Sequence, residues 1–322
     1  MRFAVVGAGS IAGYFGGRLA AAGHDVALLT HGLTLTTIQA GGLLACGFAG
    51  SADVPRVAAA ESAREFGESD FVILAVKAWQ VGAIIDQLSP LLGRDTAIVT
   101  TQNGVDAPYR IAKRYGSSAV FPGTASISFR PEALGAARQM SGPGLLTYAE
   151  WNNRMTARVK RLRFALEEAG ILTSVPADIW VELWSKLLFM VPFGALGAAM
   201  DEPIGVLRSK PGTRKLLAAL MQEIREVAYA RRVCLPEDVV ETAMALADRQ
   251  PENGRFSLQQ DILEKRPSAL NAWTGVVVRL GEEARVPTPM HDMLHELLLD
   301  RAAAAMMGER RIKTLFPPIQ YG

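Results

Sequence analysis

A glycine-rich turn near the start of the chain constrains the fold more than any other feature. Apolar residues 3–6 predict a short buried strand, and the pattern over 14–22 predicts a helix. Glycines between a strand and a helix let the backbone approach a dinucleotide pyrophosphate, and the helix N-terminus offers N–H groups and a positive dipole to the phosphates. The residues expected to contact the dinucleotide in this turn are Gly7, Ala8, Gly9, Ser10, Ile11 and Ala12.

The rest of the chain divides into two kinds of pattern. Up to residue 177, short apolar strands alternate with helical segments; the predicted strands are 3–6, 25–29, 70–76, 96–100, 119–121, 125–129 and 171–175. The predicted helices between them are 14–22, 82–92, 107–115 and 155–169. From residue 178 the strand signals stop, and long helices are predicted at 179–199, 213–233, 237–246, 268–284 and 290–307. We predict a Rossmann-type α/β domain with a doubly wound parallel sheet (1–177), followed by an all-α C-terminal substrate and catalytic domain (178–322).

The composition of the chain argues against several classes of function. The net charge of +2 argues against a nucleic-acid-binding surface. Two cysteines, Cys46 and Cys234, exclude a disulfide framework and a cysteine-cluster metal site, and they fit a reducing cytoplasm. We expect no signal peptide, and no membrane span because the longest apolar run, 187–200, is too short. We interpret His291 and His295, which share a helical face, as a helix-surface pair rather than a metal site.

The end of the second predicted strand indicates which nicotinamide cofactor is used. A carboxylate at this place hydrogen-bonds the ribose 2′-hydroxyl and favours NAD. Thr30 and His31 stand here instead, and neither Asp nor Glu is adjacent. The segment therefore predicts NADP as the cofactor, although His31 also fits a surface-loop histidine.

Two polar residues follow predicted strands, where ligands bind in a doubly wound sheet. Lys77 comes directly after strand 70–76, and Asn103 follows strand 96–100. We expect both to meet the cofactor or an anionic substrate. The alternatives are a solvated lysine at a strand end and a turn-forming Asn-Gly pair.

A single cation interrupts the apolar helix predicted at 179–199. Lys186 lies in this helix, among leucines, tryptophans and a phenylalanine. Hydride reduction of a carbonyl leaves an alkoxide that must gain a proton, and a desolvated lysine has a lowered pKa suited to supplying it. The alternative is a lysine whose ammonium reaches solvent along the helix surface.

Several motifs, taken in order along the whole chain, resemble the ketopantoate reductase (2-dehydropantoate 2-reductase) family. They are Gly7-Ala8-Gly9, Lys77-Ala78-Trp79-Gln80, Gln102-Asn103-Gly104, Leu183-Trp184-Ser185-Lys186, Ser257-Leu258-Gln259-Gln260-Asp261, Arg266-Pro267-Ser268 with Gly275, and Val286-Pro287-Thr288-Pro289. The resemblance implies NADPH-dependent reduction of a 2-oxo acid, ketopantoate, to pantoate on the route to pantothenate. It also implies Lys186 as the catalytic lysine, Lys77 and Asn103 at the junction of cofactor and substrate, and Ser257 as a hydroxyl that meets the substrate carboxylate.

Three positions depart from the family pattern. Met190 and Gly194 replace asparagines on the helical face of Lys186, and Ala269 replaces a glutamate. The arginine that the family usually has near His31 is absent as well. We expect a substrate-binding face at Met190 and Gly194 that is apolar and roomier at its far end, and we hypothesise a bulkier or less polar 2-oxo acid substrate. Glu264 or Asn271 is a candidate to replace the missing groups.

Three functions therefore stay open. The first is ketopantoate reduction itself. The second is a related NADP-dependent dehydrogenase with another substrate, such as a hydroxy acid or an imine. The third is a non-catalytic NADP-binding protein, which the missing glutamate at Ala269 suggests. A homodimer is expected from the superfamily only.

Overall fold

The computed structural model describes residues 1–7, 9–41, 57–133 and 136–315. Ala8 and Cys46 lie outside these ranges, so the predictions made for them are not addressed by the structure. The chain forms two compact units, Met1–Glu182 and Leu183–Gly322.

The first unit is built on a six-stranded parallel sheet with the strand order β3-β2-β1-β4-β5-β6. Its strands are β1 (Arg2–Val6), β2 (Asp25–Leu29), β3 (Ala58–Ala60), β4 (Ser69–Leu74), β5 (Leu92–Thr100) and β6 (Val120–Phe121). Its helices are α1 (Ser10–Ala21), α2 (Gly32–Gly41), α3 (Val81–Ile84), α4 (Asp106–Tyr115) and α5 (Ala157–Glu168). The order reverses between β1 and β4, and such a reversal opens the crevice in which doubly wound sheets bind ligands.

The apolar strands are buried on both faces of this sheet. Alternate residues of β1 point into different cores: Phe3 and Val5 belong to one apolar cluster, and Ala4 and Val6 to the other. All four side chains are fully buried. Burial on both faces explains why the strands read as continuous apolar runs rather than as an alternation. The predicted Rossmann-type fold is thereby confirmed.

A second sheet departs from the predicted strand set. Residues 125–129, expected within the parallel sheet, belong instead to a three-stranded sheet of β7 (Gly123–Ala133), β8 (Ala136–Tyr148) and β9 (Leu172–Ser174). β7 and β8 are antiparallel, whereas β8 and β9 are parallel. The sequence does not predict β8, because it is interrupted by Gly142, Pro143 and Gly144. Glycine and proline normally argue against the interior of a strand.

The helix predicted at 82–92 is also corrected. The structure has a 3-10 turn at Ala78–Gln80, a single α-helical turn in α3, and a 3-10 segment at Ile85–Leu91. Pro90 lies inside the last segment. A proline has no N–H to donate and its ring crowds the preceding turn, so it disfavours a regular α-helix in this short segment.

Helices form the second unit, as the sequence predicts for an all-α domain. They are α6 (Ile179–Met200, which begins in the first unit), α7 (Ile204–Ser209), α8 (Pro211–Ala230), α9 (Val239–Asp248), α10 (Ser257–Leu263), α11 (Leu270–Ala284) and α12 (Pro289–Leu315). Among the described residues, α6 alone is long and apolar enough to cross a membrane, yet 67% of its most apolar window is buried within the protein. Such burial is typical of a core helix.

The division between the units falls after Glu182, inside the first turn of α6, whereas the predicted boundary after residue 177 precedes the helix. Hydrogen bonds hold this turn to the first unit. The backbone N–H of Ile179 donates to Asn153 Oδ1 at 2.9 Å, and Trp180 Nε1 donates to the carbonyl of Trp151 at 3.1 Å.

The interpretation of His291 and His295 as a helix-surface pair is wrong. His291 is fully buried, and its Nδ1 lies 2.7 Å from Glu223 Oε2. His295 is half-buried, with Nδ1 2.9 Å from the hydroxyl of Thr274. Glu223, on α8, also accepts the backbone N–H of His291 in the first turn of α12 at 3.0 Å. Desolvation raises the pKa of Glu223, but these hydrogen bonds outweigh it and leave that pKa below its ordinary value. Glu223 thus ties α8 to the first turn of α12 through the buried His291.

Candidate active site

The turn after β1 requires glycine at its first position. Gly7 has a φ of +115°, and a Cβ built on it would lie 3.0 Å from the carbonyl oxygen of Ala75, which follows β4. Its N–H donates to the carbonyl of Leu29, the last residue of β2, at 2.9 Å. Gly7 therefore lets the ends of β1, β2 and β4 come close together.

Gly9 leaves open space in front of α1. It is the N-cap of this helix, and a Cβ built on it would meet none of the described residues within 4 Å. The first turn of α1 contains no acidic residue. Because the first N–H groups of a helix have no partner within the helix, this open N-terminus fits an anion such as a dinucleotide pyrophosphate.

The three residues after Gly9 differ in exposure. Ser10 and Ile11 are half-buried in the first turn of α1. Ala12 is fully buried and belongs to the apolar cluster under the helix. Ala12 thus acts through packing, since its small side chain brings α1 close to the sheet.

The side chain of Gln102 joins the loops that follow β4 and β5. Its Nε2 donates to the carbonyls of Leu74 at 2.7 Å and Val76 at 2.8 Å. The hydroxyl of Thr101 donates to the same Leu74 carbonyl at 2.9 Å. The motif Gln102-Asn103-Gly104 does not by itself predict this role for Gln102; the sequence signal for it is a glutamine at the end of an apolar strand.

Lys77 and Asn103 lie at the two loops that Gln102 joins. The N–H of Lys77 donates to Gln80 Oε1 at 2.9 Å, and the lysine side chain is exposed. Asn103 is half-buried, and its Oδ1 accepts a hydrogen bond from the hydroxyl of Thr124 at 3.4 Å. The first unit thus brings the Gly7 turn, Lys77 and Asn103 to one edge of its parallel sheet.

A carboxylate that sequence analysis missed lies beside the end of β2. Thr30 is buried and donates its N–H to the carbonyl of Ala60 at 3.0 Å, whereas His31 is exposed. The N–H of Gly32, two residues after Thr30, donates to Glu61 Oε1 at 3.1 Å. Glu61 was missed because it follows β3, a strand too short to be predicted.

Lys186 lies in α6 among apolar neighbours of the second unit. Trp184 and Leu188 are fully buried, and Leu187 is almost so. Burial lowers the pKa of Lys186 to about 8. An amine with this pKa gives up and regains a proton readily near neutral pH, as a general acid must.

The expectation of extra room at Gly194 is wrong. A Cβ on Gly194 would lie 2.9 Å from an indole ring atom of Trp273 on α11 and 3.5 Å from Leu258 Cβ on α10. Gly194 is buried, so its missing side chain lets α10 and α11 approach α6 instead of enlarging a cavity. Met190, one turn after Lys186, is half-buried and presents an apolar side chain on that face.

An aromatic cluster connects the start of α10 to α6. Phe256, the residue before Ser257, has its ring centroid 5.6 Å from that of Phe189 and 6.0 Å from that of Phe193. Ser257 itself is exposed at the first position of α10. The second unit therefore places Ser257 next to rings that belong to the helix of Lys186.

The two candidates to replace the missing polar groups are both exposed. Glu264 ends α10 and forms an ion pair with Arg266. Asn271 lies in the first turn of α11. Ala269, which stands at the position of the family's glutamate, is the N-cap of α11.

Among the described residues, no group of three or more His, Cys, Asp or Glu side chains is arranged to hold a metal ion.

Comparison with known proteins identifies the family. The family model described as ketopantoate reductase PanE/ApbA matches residues 3–153, and the model of its C-terminal part matches residues 178–302. A 2-dehydropantoate 2-reductase from Mesorhizobium japonicum is 30% identical over 96% of this chain and 99% of its own length. One from Halobacterium salinarum is 28% identical over 92% of this chain.

Solved structures agree with this assignment. A 2-dehydropantoate 2-reductase from Methylococcus capsulatus aligns with a TM-score of 0.84 at 27% identity, over 95% of this chain and 98% of its own. D-Mandelate dehydrogenase, solved with NADH and anilino(oxo)acetate, shares the fold with a TM-score of 0.83 at 22% identity. With two family models covering most of its length and a full-length relative at 30% identity, this chain belongs to the ketopantoate reductase PanE/ApbA family.

Proposed function

We propose that this protein reduces a 2-oxo acid to the 2-hydroxy acid with NADPH, and that 2-dehydropantoate is its substrate. The family consists of NADP-dependent oxidoreductases that act on CH–OH groups, and relatives that align over nearly the whole chain are 2-dehydropantoate 2-reductases. The observation that carries the proposal is Lys186, whose pKa burial lowers to about 8.

The first unit supplies the residues that would hold the dinucleotide. Gly7 allows the tight turn, and Gly9 leaves the N-terminus of α1 open to the pyrophosphate. Lys77 and Asn103 follow the ends of β4 and β5, where a cation and an amide would meet the nicotinamide ribose or the substrate. When bound, the reduced nicotinamide supplies a hydride to the carbonyl carbon.

Lys186 would complete the reaction with a proton. As the carbonyl carbon gains the hydride, its oxygen becomes an alkoxide, and the Lys186 ammonium donates a proton to that oxygen. The lysine is left as a neutral amine and regains its proton from water. With a pKa of about 8, the side chain is mostly protonated at neutral pH, so the acid is ready before each turnover. Ser257 would donate a hydrogen bond from its hydroxyl to the substrate carboxylate.

A second candidate is reduction of a less polar 2-oxo acid by the same chemistry. Met190 presents a thioether on the Lys186 face of α6, and Ala269 offers no carboxylate. Lost hydrogen bonds to a substrate hydroxyl change discrimination by several orders of magnitude. This candidate therefore expects weak turnover of 2-dehydropantoate and better turnover of an analogue that lacks the hydroxyl.

The test is oxidation of NADPH by the purified protein with 2-dehydropantoate and a panel of aliphatic and aromatic 2-oxo acids. Efficient turnover of 2-dehydropantoate supports the first candidate, and preference for a less polar acid supports the second. The rate of reduction should be constant below about pH 8 and fall above it, because the reaction needs protonated Lys186. NADPH binding without oxidation of any substrate would contradict both candidates and leave a non-catalytic NADP-binding protein.

The remaining expectations are a cytoplasmic location and a homodimer. The family is one of soluble enzymes. A ketopantoate reductase from Staphylococcus aureus, which shares the fold at 20% identity, is described as dimeric. For this chain the dimer stays a prediction, which size-exclusion chromatography with light scattering would test.

A further inference from the structure

A negative charge lies where a dinucleotide of this fold places its adenosine ribose. β3 pairs with β2 in parallel, and Leu29 stands opposite Ala60. Glu61, the first residue after β3, is therefore level with Thr30. Its Oε1 accepts the N–H of Gly32 at 3.1 Å, which fixes the carboxylate beside the segment that follows β2.

The chemistry of this position distinguishes the two nicotinamide cofactors. A carboxylate at the end of the second strand accepts a hydrogen bond from the ribose 2′-hydroxyl of NAD and repels the 2′-phosphate of NADP. An arginine there does the opposite, because its guanidinium pairs with a phosphate. In this chain the segment holds Thr30, which is buried, and His31, which is exposed, but no arginine or lysine.

We infer that Glu61 determines the cofactor preference of this protein, in that it disfavours the 2′-phosphate and binds the ribose 2′-hydroxyl. The inference rests on the dinucleotide site of the proposed function. Its consequence is that the charge of Glu61 narrows the preference for NADPH over NADH, so that either cofactor can serve the reaction of the proposed function. The sequence-based expectation of NADP specificity depended on the absence of a carboxylate directly after β2; the structure supplies that carboxylate from the neighbouring strand.

The test compares the affinities of wild type and Glu61→Gln for ligands that differ only in the 2′-phosphate. Glutamine keeps an oxygen that can accept the N–H of Gly32, so the loop is retained while the charge is removed. The ligands are NADH and NADPH, and also 5′-AMP and adenosine 2′,5′-bisphosphate, measured by calorimetry without any turnover. The variant should shift the ratio of affinities toward the 2′-phosphorylated ligand by roughly five- to tenfold at low salt, and by less at high salt.

Glu168→Gln is the matched control, because it removes the same charge from an exposed position at the end of α5. Glu168 lies at the opposite end of the parallel strands from Glu61. Its near neighbour Gly170 accepts a hydrogen bond at 3.1 Å from Arg18, which is in the last turn of α1. The control should leave the ratio of affinities unchanged.

Each outcome has a distinct meaning. A shift in Glu61→Gln but not in Glu168→Gln supports the inference. An unchanged ratio in folded Glu61→Gln, or a wild type that binds NADPH more than about a hundredfold tighter than NADH, would overturn it and leave the reductase proposal intact. If the wild type bound neither dinucleotide, the dinucleotide site itself would be wrong. Failure to reduce any oxo acid, with both dinucleotides bound, would contradict only the proposed function.

Discussion

Replacing Lys186 by methionine should stabilise the protein at neutral pH while it abolishes reduction. Methionine has a similar length and fits the apolar surroundings of α6, with buried Trp184 and Leu187 as neighbours. The gain comes from removing a charge that burial disfavours: the pKa of Lys186 is lowered from 10.5 to about 8. Below that pKa the folded protein carries the charge at full cost.

The magnitude follows from proton linkage. Each pH unit between the two pKa values contributes about 1.4 kcal/mol, so the Lys186 charge costs about 3 kcal/mol near pH 7. As pH rises from 8 toward 10.5, the folded state releases the proton before the unfolded state does, and the cost falls to about 1 kcal/mol near pH 10. The advantage of methionine is thus largest at neutral pH and shrinks in alkali. It is an upper bound, because the variant also loses whatever interaction the ammonium makes.

The assay is urea unfolding of wild type and Lys186→Met near pH 7 and near pH 10, followed by circular dichroism. Lys160→Met is the control, because it makes the same change at an exposed position of α5 and should alter stability by less than about 0.5 kcal/mol. An equal effect of Lys186→Met on the free energy of unfolding at both pH values would refute the argument that Lys186 is desolvated. Turnover near the wild-type rate would refute its role as the acid.

Three further substitutions test the geometry of the two units. Gly7→Ala should destabilise the protein by about 1–3 kcal/mol and weaken dinucleotide binding, as denaturation and calorimetry would measure, because its φ of +115° and the nearby backbone exclude a Cβ; an alanine variant of wild-type affinity would contradict this. Gly194→Ala should lower the free energy of unfolding by about 1–3 kcal/mol, since its Cβ would lie 2.9 Å from the Trp273 ring; a more stable variant would mean that the space is empty. Gln102→Ala should raise the KM for substrate or dinucleotide and cost about 1–3 kcal/mol of stability, because it removes the amide that donates to the carbonyls of Leu74 and Val76. Unchanged kinetics would show that the loop is held without the amide.

The parallel sheet was predictable because its signals are local. Strands buried on both faces read as short apolar runs, and the turn after β1 carries its glycines within a few residues. The second sheet was not predictable in the same way. β7 and β8 are held by pairing across a hairpin and β9 joins from beyond α5, while Gly142 and Pro143 within β8 argue locally for a loop. Tertiary pairing overrides local propensity there.

The candidate site shows the same limit. Lys186 stood out because a charge inside an apolar run is visible in the sequence, and the burial that follows from that run lowers its pKa. Glu61 did not stand out, since its relation to Thr30 depends on the parallel register of β2 and β3. The segment after β2 therefore reveals only part of what lies beside Thr30.

Gly194 and Lys186 both lie in α6, which is apolar on almost every side. These apolar surroundings have different effects at the two positions. Toward α10 and α11, apolar packing is so close that only a glycine fits at position 194, and a missing side chain there means contact rather than space. At position 186, the same exclusion of water lowers the pKa of the lysine. The lysine is therefore a stronger acid, and its charge lowers the stability of the folded protein. A sequence records that a side chain is small or charged, but not what lies opposite it. Loss of the family's asparagine at Gly194 therefore changes the packing of the second unit, and a search for altered substrate preference should begin at Met190, which stays half-buried on the face of Lys186.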